Sequence, residues 1–424
     1  MAAPPTYDLV LYGATGFTGR LVARYLDGVP EAAAQGKPPL RWAVAGRSER
    51  KLRALKASGW IGRGVPSLAV ELTDARATDR LVRSARAVIN CAGPFSQCHG
   101  EALLGACARE GVHYADLAGE SWWQAEMIEK YHDVARRSGA KVILGGGVDS
   151  VPSDLGAMLA LGALGATGTD PAKAEAKVRV VATYTAYTGS MSGGTVASGR
   201  ARKHARRAGH PHLAAARDED PYLLCDDCDV AAAGADVEVG TPDGMPAGFS
   251  WGFRWRQPFF MGGINARVVR RSLALRGLAA RVSYAECSSL GLWLRLAWTL
   301  LTSGMGYLRG APIPLKPVPG QGPPAWLIRE GSFAVDVVAT AETAASAGGD
   351  GATAVATIRG VGDPGYGATA KMLGEVGLCL ALDPHQTWRP EGGVLTPSTG
   401  LGDLLVRRLR AVDGGKFMSL HVTP

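Results

Sequence analysis

A glycine-rich run near the start of the chain limits the fold more than any other segment. It reads Gly-Ala-Thr-Gly-Phe-Thr-Gly from Gly13 to Gly19, directly after the apolar run Tyr7–Tyr12 and directly before Gly19–Leu26, whose apolar residues have helical spacing. Glycines at this spacing let a chain turn tightly from a strand into a helix. The segment therefore predicts the first strand-turn-helix unit of an α/β sheet.

The alternation of strands and helices continues through residues 1–150. Gly100–Glu110 is a second helix candidate with one apolar stripe. Because parallel strands need helical crossovers, the series predicts a doubly wound Rossmann sheet with a ligand crevice at the carboxyl ends of its strands. The strand candidates are Tyr7–Tyr12, Arg41–Ala45, Ser67–Leu72, Ala87–Cys91, His113–Leu117 and Lys141–Leu144.

The rhythm changes after Pro152 to longer alternating runs, which predict a second α/β domain built on a largely antiparallel sheet. These runs are Lys177–Tyr187, Ser332–Glu342 and Thr353–Arg359. We expect a dinucleotide-binding domain at residues 1–150, a closing domain at 151–385, and a C-terminal segment, 386–424, that returns to the first domain. Two helix candidates, 369–382 and 402–412, have a periodicity that does not assign them to either domain.

Composition excludes several classes of protein. Of the 424 residues, 46% are apolar and 20% charged, which excludes a disordered chain, and a net charge of +8 attracts anionic partners without selecting among them. The seven cysteines are scattered, and no secretory segment follows Met1, so we expect a reduced, cytoplasmic protein. Cys225 and Cys228 have C-x-x-C spacing but no second ligand pair, so no metal site is expected.

The glycine-rich run also predicts a ligand. The free N–H groups and the positive dipole at the start of a helix bind a pyrophosphate that glycines allow to come close. The second strand ends in Gly46-Arg47-Ser48, where an NAD-binding chain usually has an acid. Arg47 can pair with a 2′-phosphate and Ser48 can donate a hydroxyl, so NADPH is favoured over NADH.

Two further strand ends complete the predicted cofactor site. Asp74 follows the third strand, where it could accept from the adenine amino group or cap a helix. Cys91-Ala92-Gly93-Pro94 follows the fourth strand, where small residues let the nicotinamide half pass close to the sheet. The predicted cofactor-binding residues are Gly13, Thr15, Gly16, Phe17, Thr18, Arg47, Ser48, Asp74, Cys91, Ala92, Gly93 and Pro94.

The pattern identifies no catalytic residue. Asp116 and Asp149 follow strands at the same predicted edge, and each either positions substrate or caps a loop. No Tyr-x-x-x-Lys spacing indicates a proton donor, and His99 and His113 have no evident partner.

Two other segments have more than one interpretation. Arg200 to Arg217 contains six basic residues and no acid, typical of a solvated face; nucleic-acid binding would call for interleaved aromatics, which are absent. Leu290–Leu301 is apolar but too short to span a membrane, and it is either a buried helix or a surface for acyl chains or lipid.

Several longer motifs resemble the saccharopine dehydrogenase-like oxidoreductases, a family that includes bacterial trans-acting enoyl reductases. The motifs are Tyr12–Gly19, Trp42–Ser48, Val88–Phe95, Tyr114–Glu120 and Gly146–Gly156, with weaker similarity at Ser192–Thr195, Gly365–Thr369 and Gly393–Pro397. The resemblance implies a Rossmann domain, a second domain that closes over the nicotinamide, and a returning C-terminal segment. Leu290–Leu301 is similar to the hydrophobic segment of the enoyl reductase branch.

The resemblance implies an NADPH-dependent oxidoreductase. The expected acceptor is the activated double bond of an enoyl thioester from polyketide or lipid synthesis, carried on a small molecule or a carrier. Two alternatives remain: an imine reductase of the saccharopine type, for which Arg254, Arg256 and Arg267 would have to converge, or a non-catalytic NADP(H)-binding protein at a lipid surface. Peripheral membrane contact is compatible both with a substrate from lipid synthesis and with a protein at a lipid surface. Nucleic acid is not expected as a partner.

Overall fold

Two seven-stranded sheets organise the chain in the computed structural model, which describes residues 4–29, 39–167, 177–225, 249–250, 254–289, 291, 317–318, 320–342, 351–386 and 391–423. The strands are β1 Tyr7–Tyr12, β2 Trp42–Gly46, β3 Ser67–Ala69, β4 Ala85–Asn90, β5 His113–Asp116, β6 Lys141–Ile143, β7 Lys177–Thr188, β8 Phe249–Ser250, β9 Arg254–Pro258, β10 Val282–Ser289, β11 Ser332–Glu342, β12 Thr353–Val361, β13 Gly393–Leu395 and β14 Met418–Thr423.

The α-helices of the described residues connect these strands and cover both sheets. They are α1 Phe17–Asp27, α2 Glu49–Ala57, α3 Ala75–Arg83, α4 Gly100–Glu110, α5 Ser121–Ser138, α6 Val151–Ala163, α7 Gly193–Arg207, α8 Ala215–Asp218, α9 Gly262–Leu275, α10 Ala325–Glu330, α11 Thr369–Leu382, α12 Pro397–Gly400 and α13 Gly402–Ala411.

The first sheet is entirely parallel, with the strand order β13-β6-β5-β4-β1-β2-β3. Its central strands are buried almost throughout, because helices cover both faces. The strand order reverses at β1, so the crevice lies at the carboxyl ends of β1 and β4. This arrangement confirms the predicted Rossmann sheet.

The second sheet has the order β14-β12-β11-β7-β10-β9-β8, and all its pairs are antiparallel except β7 with β10. Buried and more exposed residues alternate along β12, as expected where one face of a sheet covers the core. The predicted α/β fold with a largely antiparallel second sheet is confirmed.

Two helices connect the sheets, because each packs against the sheet that does not contain the strand preceding it in sequence. Helix α6 follows the last central strand of the first sheet but packs on the second, and a Cβ atom at Gly156 would lie 2.7 Å from Cγ2 of Val337. Helix α11 follows the second sheet but packs on the first, where a Cβ atom at Gly377 would collide with the side chain of Ile89. The helix at 369–382, which periodicity could not assign, therefore covers the Rossmann sheet.

The C-terminal segment contributes to both sheets. Strand β13 lies parallel to β6 at one edge of the first sheet, and β14 lies antiparallel to β12 at one edge of the second. The chain thus returns to the Rossmann sheet and then leaves it again.

Some boundaries differ from the predicted ones. Strand β3 ends at Ala69, three residues earlier than expected, because this edge strand pairs with β2 only as far as Gly46. Helix α1 begins at Phe17 and so includes the last part of the glycine-rich run.

Candidate active site

The glycine-rich turn lies against the end of the neighbouring strand. Gly13 has φ +79°, and a Cβ atom there would lie 2.6 Å from the backbone nitrogen of Ala92. Gly16 caps α1 without a side-chain hydrogen bond, and the first turn of the helix contains no acid. The N-terminus of α1 is therefore arranged to bind an anion. Thr15, Phe17 and Thr18 are half-buried in the same turn.

A basic side chain lies at the end of β2. Arg47 is exposed and has no hydrogen bond or ion pair with any described residue. Ser48 caps α2, and its Oγ accepts a hydrogen bond from the backbone nitrogen of Lys51 at 3.4 Å. A Cβ atom at Gly46 would meet nothing within 4 Å, so there is open space above this strand end. A free cation beside open space fits a 2′-phosphate.

Asp74 caps a helix in the structure, which is one of its two predicted roles. It is the N-cap of α3, and its Oδ1 accepts a hydrogen bond from the backbone nitrogen of Ala77 at 2.9 Å. This hydrogen bond fixes the carboxylate at the crevice edge beyond β3. Contact with the cofactor there stays a prediction.

A buried hydrogen-bond network fixes the ends of β4, β5 and β6. Asn90 accepts from the backbone nitrogen of Ala92 at 2.9 Å and donates to the hydroxyl of Tyr114 at 3.1 Å. Tyr114 donates to Asp116 at 3.0 Å, and Asp116 also accepts from the backbone nitrogens of Ala118 and Gly145. Burial raises the pKa of Asp116 to about 7. Asp116 therefore positions loops, including the start of the segment Cys91-Ala92-Gly93-Pro94.

Glu120 holds the rest of that segment and connects it to the second domain. Its carboxylate accepts from the backbone nitrogen of Phe95 at 3.1 Å and from the hydroxyl of Ser96 at 2.7 Å. It also accepts from the hydroxyl of Ser198 on α7 at 3.0 Å. No local pattern indicates this role of Glu120, because its partner on α7 is 78 residues away in sequence.

Asp149 follows β6 and has a different environment from Asp116. It is half-buried, and its carboxylate has no hydrogen bond or ion pair with any described residue. Its Oδ2 lies 3.7 Å from the position that a Cβ atom would take at Gly119. Burial raises the pKa of Asp149 to about 6. After burial, the charge of Asp149 is the next cause that raises the pKa of Tyr187.

Tyr184 and Tyr187 of the second domain lie near this carboxyl group, and they contact Phe259 and Phe260. We call these four residues the aromatic wall. Tyr184 and Phe259 are stacked with 4.0 Å between ring centroids, and Tyr187 meets Phe260 edge-on at 5.2 Å. The side chain of Phe260 is 53% exposed. The other three rings are buried, so Phe260 is the part of the wall that is open to a ligand.

The second domain also contacts the glycine-rich turn. The ring of Tyr366 meets that of Phe17 edge-on, and Arg20 donates to the carbonyl oxygen of Gly320 at 3.2 Å. The hydroxyl of Tyr366 accepts from the backbone nitrogen of Ser192 at 2.5 Å, which positions the first turn of α7. The cleft therefore has the Rossmann edge on one side and the start of α7 on the other.

Several other residues that the sequence singled out lie away from the cleft or outside the described residues. Arg267 donates to the backbone oxygens of Asp218 and Asp220, so it does not reach into the cleft. His113 accepts from the backbone nitrogen of Lys141, which supplies the partner that the sequence did not reveal. Cys228, the side chains of Arg254 and Arg256, and Leu290–Leu301 apart from Gly291 lie outside the described residues.

The described part of the chain contains neither a candidate metal site nor a helix that could span a membrane. It has no cluster of three or more His, Cys, Asp or Glu side chains that could hold a metal ion. None of its helices is long and apolar enough to cross a membrane. Peripheral membrane contact stays a prediction.

The chain is similar to known proteins over nearly its whole length. The model of the saccharopine dehydrogenase NADP binding domain matches residues 9–143. A Mycobacterium tuberculosis protein provisionally named a trans-acting enoyl reductase is 34% identical over 97% of each chain. The trans-acting enoyl reductase of Mycobacterium ulcerans is 32% identical over 96% of each chain. The apo structure of saccharopine dehydrogenase (L-Glu forming) from Saccharomyces cerevisiae aligns over 99% of that chain and 98% of this one, with 13% identity and a TM-score of 0.48.

These matches confirm the resemblance seen in the sequence and the predicted cofactor, NADP. A free cation at the end of β2 and an uncapped helix N-terminus fit that cofactor. The chain is an NADP-dependent oxidoreductase, and it belongs to the saccharopine dehydrogenase-like family, in the branch of the trans-acting enoyl reductases.

Proposed function

We propose that this oxidoreductase reduces the activated C=C bond of an enoyl thioester, an intermediate of polyketide or lipid synthesis. The observation that carries the proposal is the place of Asp149, a carboxyl group without a partner among the described residues, at the cleft edge beside the aromatic wall. The names of the two mycobacterial relatives support the same reaction.

The cofactor-binding residues are proposed from the positions described above. The turn after β1 would hold the pyrophosphate, Arg47 and Ser48 the 2′-phosphate, Asp74 the adenine side, and the segment after β4 the nicotinamide side. The set is Gly13, Thr15, Gly16, Phe17, Thr18, Arg47, Ser48, Asp74, Cys91, Ala92, Gly93 and Pro94.

The reaction needs a hydride, an electron sink and a proton. NADPH supplies the hydride when it is bound. As the hydride adds to the β-carbon, the C=C electron pair moves toward the thioester carbonyl, and the enolate takes a proton at the α-carbon. We assign this proton to the carboxyl group of Asp149, since a pKa of about 6 leaves part of it protonated near neutral pH. A water molecule that enters the cleft after product release would restore the proton of Asp149.

The aromatic wall suits an acyl chain. Each methylene group that leaves water against the exposed ring of Phe260 would contribute about 0.8 kcal/mol. Affinity is therefore expected to rise with chain length. Leu290–Leu301 is expected to be either a buried helix or a surface for acyl chains or lipid, and Phe260 of the wall provides an exposed apolar side chain within the described residues.

The imine alternative has less support. An acceptor with several carboxylates would need arginines in the cleft, and Arg267 is used to hold the backbone at Asp218 and Asp220. The non-catalytic alternative gives no role to the unpartnered carboxyl group of Asp149.

Initial rates of NADPH oxidation test the proposal. But-2-enoyl pantetheine and longer enoyl thioesters are compared with a panel of imines, for the wild type, Asp149→Asn and the exposed control Asp133→Asn. We expect turnover with thioesters, a wild-type kcat/KM that falls as pH rises through about 6, and a loss of about a hundredfold or more in Asp149→Asn. Turnover of imines alone would refute the acceptor, and an unchanged rate and pH profile in Asp149→Asn would refute the proton donor.

A further inference from the structure

The outer face of α7 carries a row of basic residues that the proposed reaction leaves without a role. We propose that this row, the basic stripe formed by Arg200, Lys203, His204 and Arg207, docks an acidic carrier protein that presents the enoyl thioester to the cleft. The proposal rests on the proposed function, since it names the form in which the substrate arrives.

The basic stripe occupies one face of the helix. Lys203 and His204 come three and four residues after Arg200, and Arg207 comes four and three residues after them, which places all four on one face of α7, where they are exposed. Arg200, Lys203 and Arg207 have no hydrogen bond or ion pair with any described residue. The stripe is therefore a concentration of positive charge that no acid among the described residues pairs with.

A neighbouring pair of arginines on the same helix has a different role. Arg202 donates to Asp218 at 2.7 Å, and Arg206 lies 3.7 Å from the same carboxylate. This pair anchors α8 to α7. The helix dipole favours cations only in the last turn, which contains Arg206 and Arg207. Arg200 and Lys203 come before that turn, so the dipole does not explain them.

The stripe belongs to the same helix as residues at the cleft edge, and it lies on the opposite side of that helix from Ser198. Ser192, directly before α7, contacts Tyr366, and Ser198, in its second turn, contacts Glu120, which holds the segment after β4. Arg200 comes two residues after Ser198, and the stripe extends about 10 Å along the axis from there. A protein bound along the stripe would lie one helix diameter, roughly 10 Å, from the cleft edge, and its flexible prosthetic arm would pass around α7 to the cleft.

Charge and composition favour an acidic protein over other anionic partners. Helix α7 contains no aromatic residue, so it offers no platform for stacking bases. The stripe also contains no apolar side chain that would enter a bilayer. Complementary charge increases the rate of encounter between proteins, and it suits a carrier that must bind and leave in each catalytic cycle.

Binding and turnover together test the proposal. The test variant carries Arg200→Glu, Lys203→Glu and Arg207→Glu. The control carries the same charge change at three exposed arginines in the last turns of α4 and α5: Arg109→Glu, Arg136→Glu and Arg137→Glu. A third variant with Gln at the three stripe positions serves if the Glu variant does not fold.

We expect the wild type and the control to bind an acidic holo-acyl carrier protein with an affinity that falls steeply with salt, and the test variant to bind at least tenfold more weakly. Its kcat/KM should fall at least tenfold for but-2-enoyl thioester on the carrier and stay within twofold for but-2-enoyl pantetheine. Absent carrier binding by the wild type, equal losses in test variant and control, or binding to phosphatidylglycerol vesicles in place of the carrier would overturn the proposal. Failure to reduce either thioester would refute the proposed function, and carrier binding would still decide the docking surface.

Discussion

The ring of Tyr366 meets the ring of Phe17 edge-to-face, with 5.2 Å between their centroids. Phe17 is the first residue of α1 and belongs to the glycine-rich turn, whereas Tyr366 comes shortly after β12 of the second sheet. The contact therefore couples the turn that is proposed to hold pyrophosphate to the domain that covers the cleft.

The hydroxyl of Tyr366 gives the first prediction. In Tyr366→Phe the ring contact with Phe17 is kept, but the buried backbone nitrogen of Ser192 loses its acceptor. We expect the free energy of unfolding to fall by about 1–3 kcal/mol in urea titrations. Tyr131→Phe, whose hydroxyl contacts the partly exposed Glu101, should lose less because water can replace that bond. Equal losses in the two variants would show that the Ser192 contact is not stabilising.

Cofactor selectivity depends on Arg47. We predict that Arg47→Ala weakens NADPH binding about ten- to hundredfold, since a bidentate pair with phosphate is worth about 1.5–3 kcal/mol, and leaves NADH binding unchanged. Fluorescence titration of both cofactors measures this. Arg53→Ala, an exposed arginine further along α2, is the control and should keep the wild-type preference. A wild type that binds the two cofactors equally would contradict the assignment of Arg47.

The glycine-rich turn contains positions with different constraints. Gly16 has an ordinary φ of −72°, and a Cβ atom there would lie 3.3 Å from the carbonyl oxygen of Gly13, so Gly16→Val should fold and lose NADPH binding. Gly13→Ala combines a positive φ with a clash at Ala92 and should unfold more easily than the wild type. Thermal melts beside cofactor titrations separate the two effects. NADPH affinity unchanged in Gly16→Val would mean that the turn does not hold phosphate.

Local periodicity was enough to predict several elements with the bounds that the structure has. β11 at Ser332–Glu342, α4 at Gly100–Glu110 and α11 at Thr369–Leu382 are examples. The packing of α11 was not predictable, because it depends on contacts distant in sequence. Glu375 of this helix accepts from the hydroxyl of Tyr25 on α1 at 2.5 Å and from Arg408 on α13 at 2.6 Å.

The same limit applies to the site. Glycine spacing and the basic end of β2 indicated an NADP site, since those features are local. The sequence could place Asp116 and Asp149 at strand ends but could not distinguish them. Asp116 is fully hydrogen-bonded within a buried network, and Asp149 has no partner among the described residues. That difference arises only when Tyr114 and Gly145 meet in the folded chain.

A buried acid in the second domain predicts how stability depends on pH. Glu286 accepts from Asn265 at 2.6 Å and from the hydroxyl of Tyr284 at 2.8 Å, and burial raises its pKa to about 7. The folded chain therefore keeps this proton to a higher pH than the unfolded chain, whose glutamates titrate near 4.5. The stabilisation is complete below about pH 4.5 and is lost as pH rises through about 7.

Glu286→Gln keeps the shape of the protonated acid without its ionisation. We predict that the variant gains stability relative to the wild type between pH 5 and pH 8, on the order of 2 kcal/mol, in urea titrations at each pH. Burial lowers the pKa of His113 to about 4, so His113 makes stability rise with pH, in the opposite direction to Glu286. Both proteins contain His113, so its contribution cancels in the difference between their free energies of unfolding. A wild-type and variant difference that stays constant from pH 5 to pH 8 would show that Glu286 does not titrate in this range, and that its hydrogen bonds to Asn265 and Tyr284 hold it in one protonation state throughout.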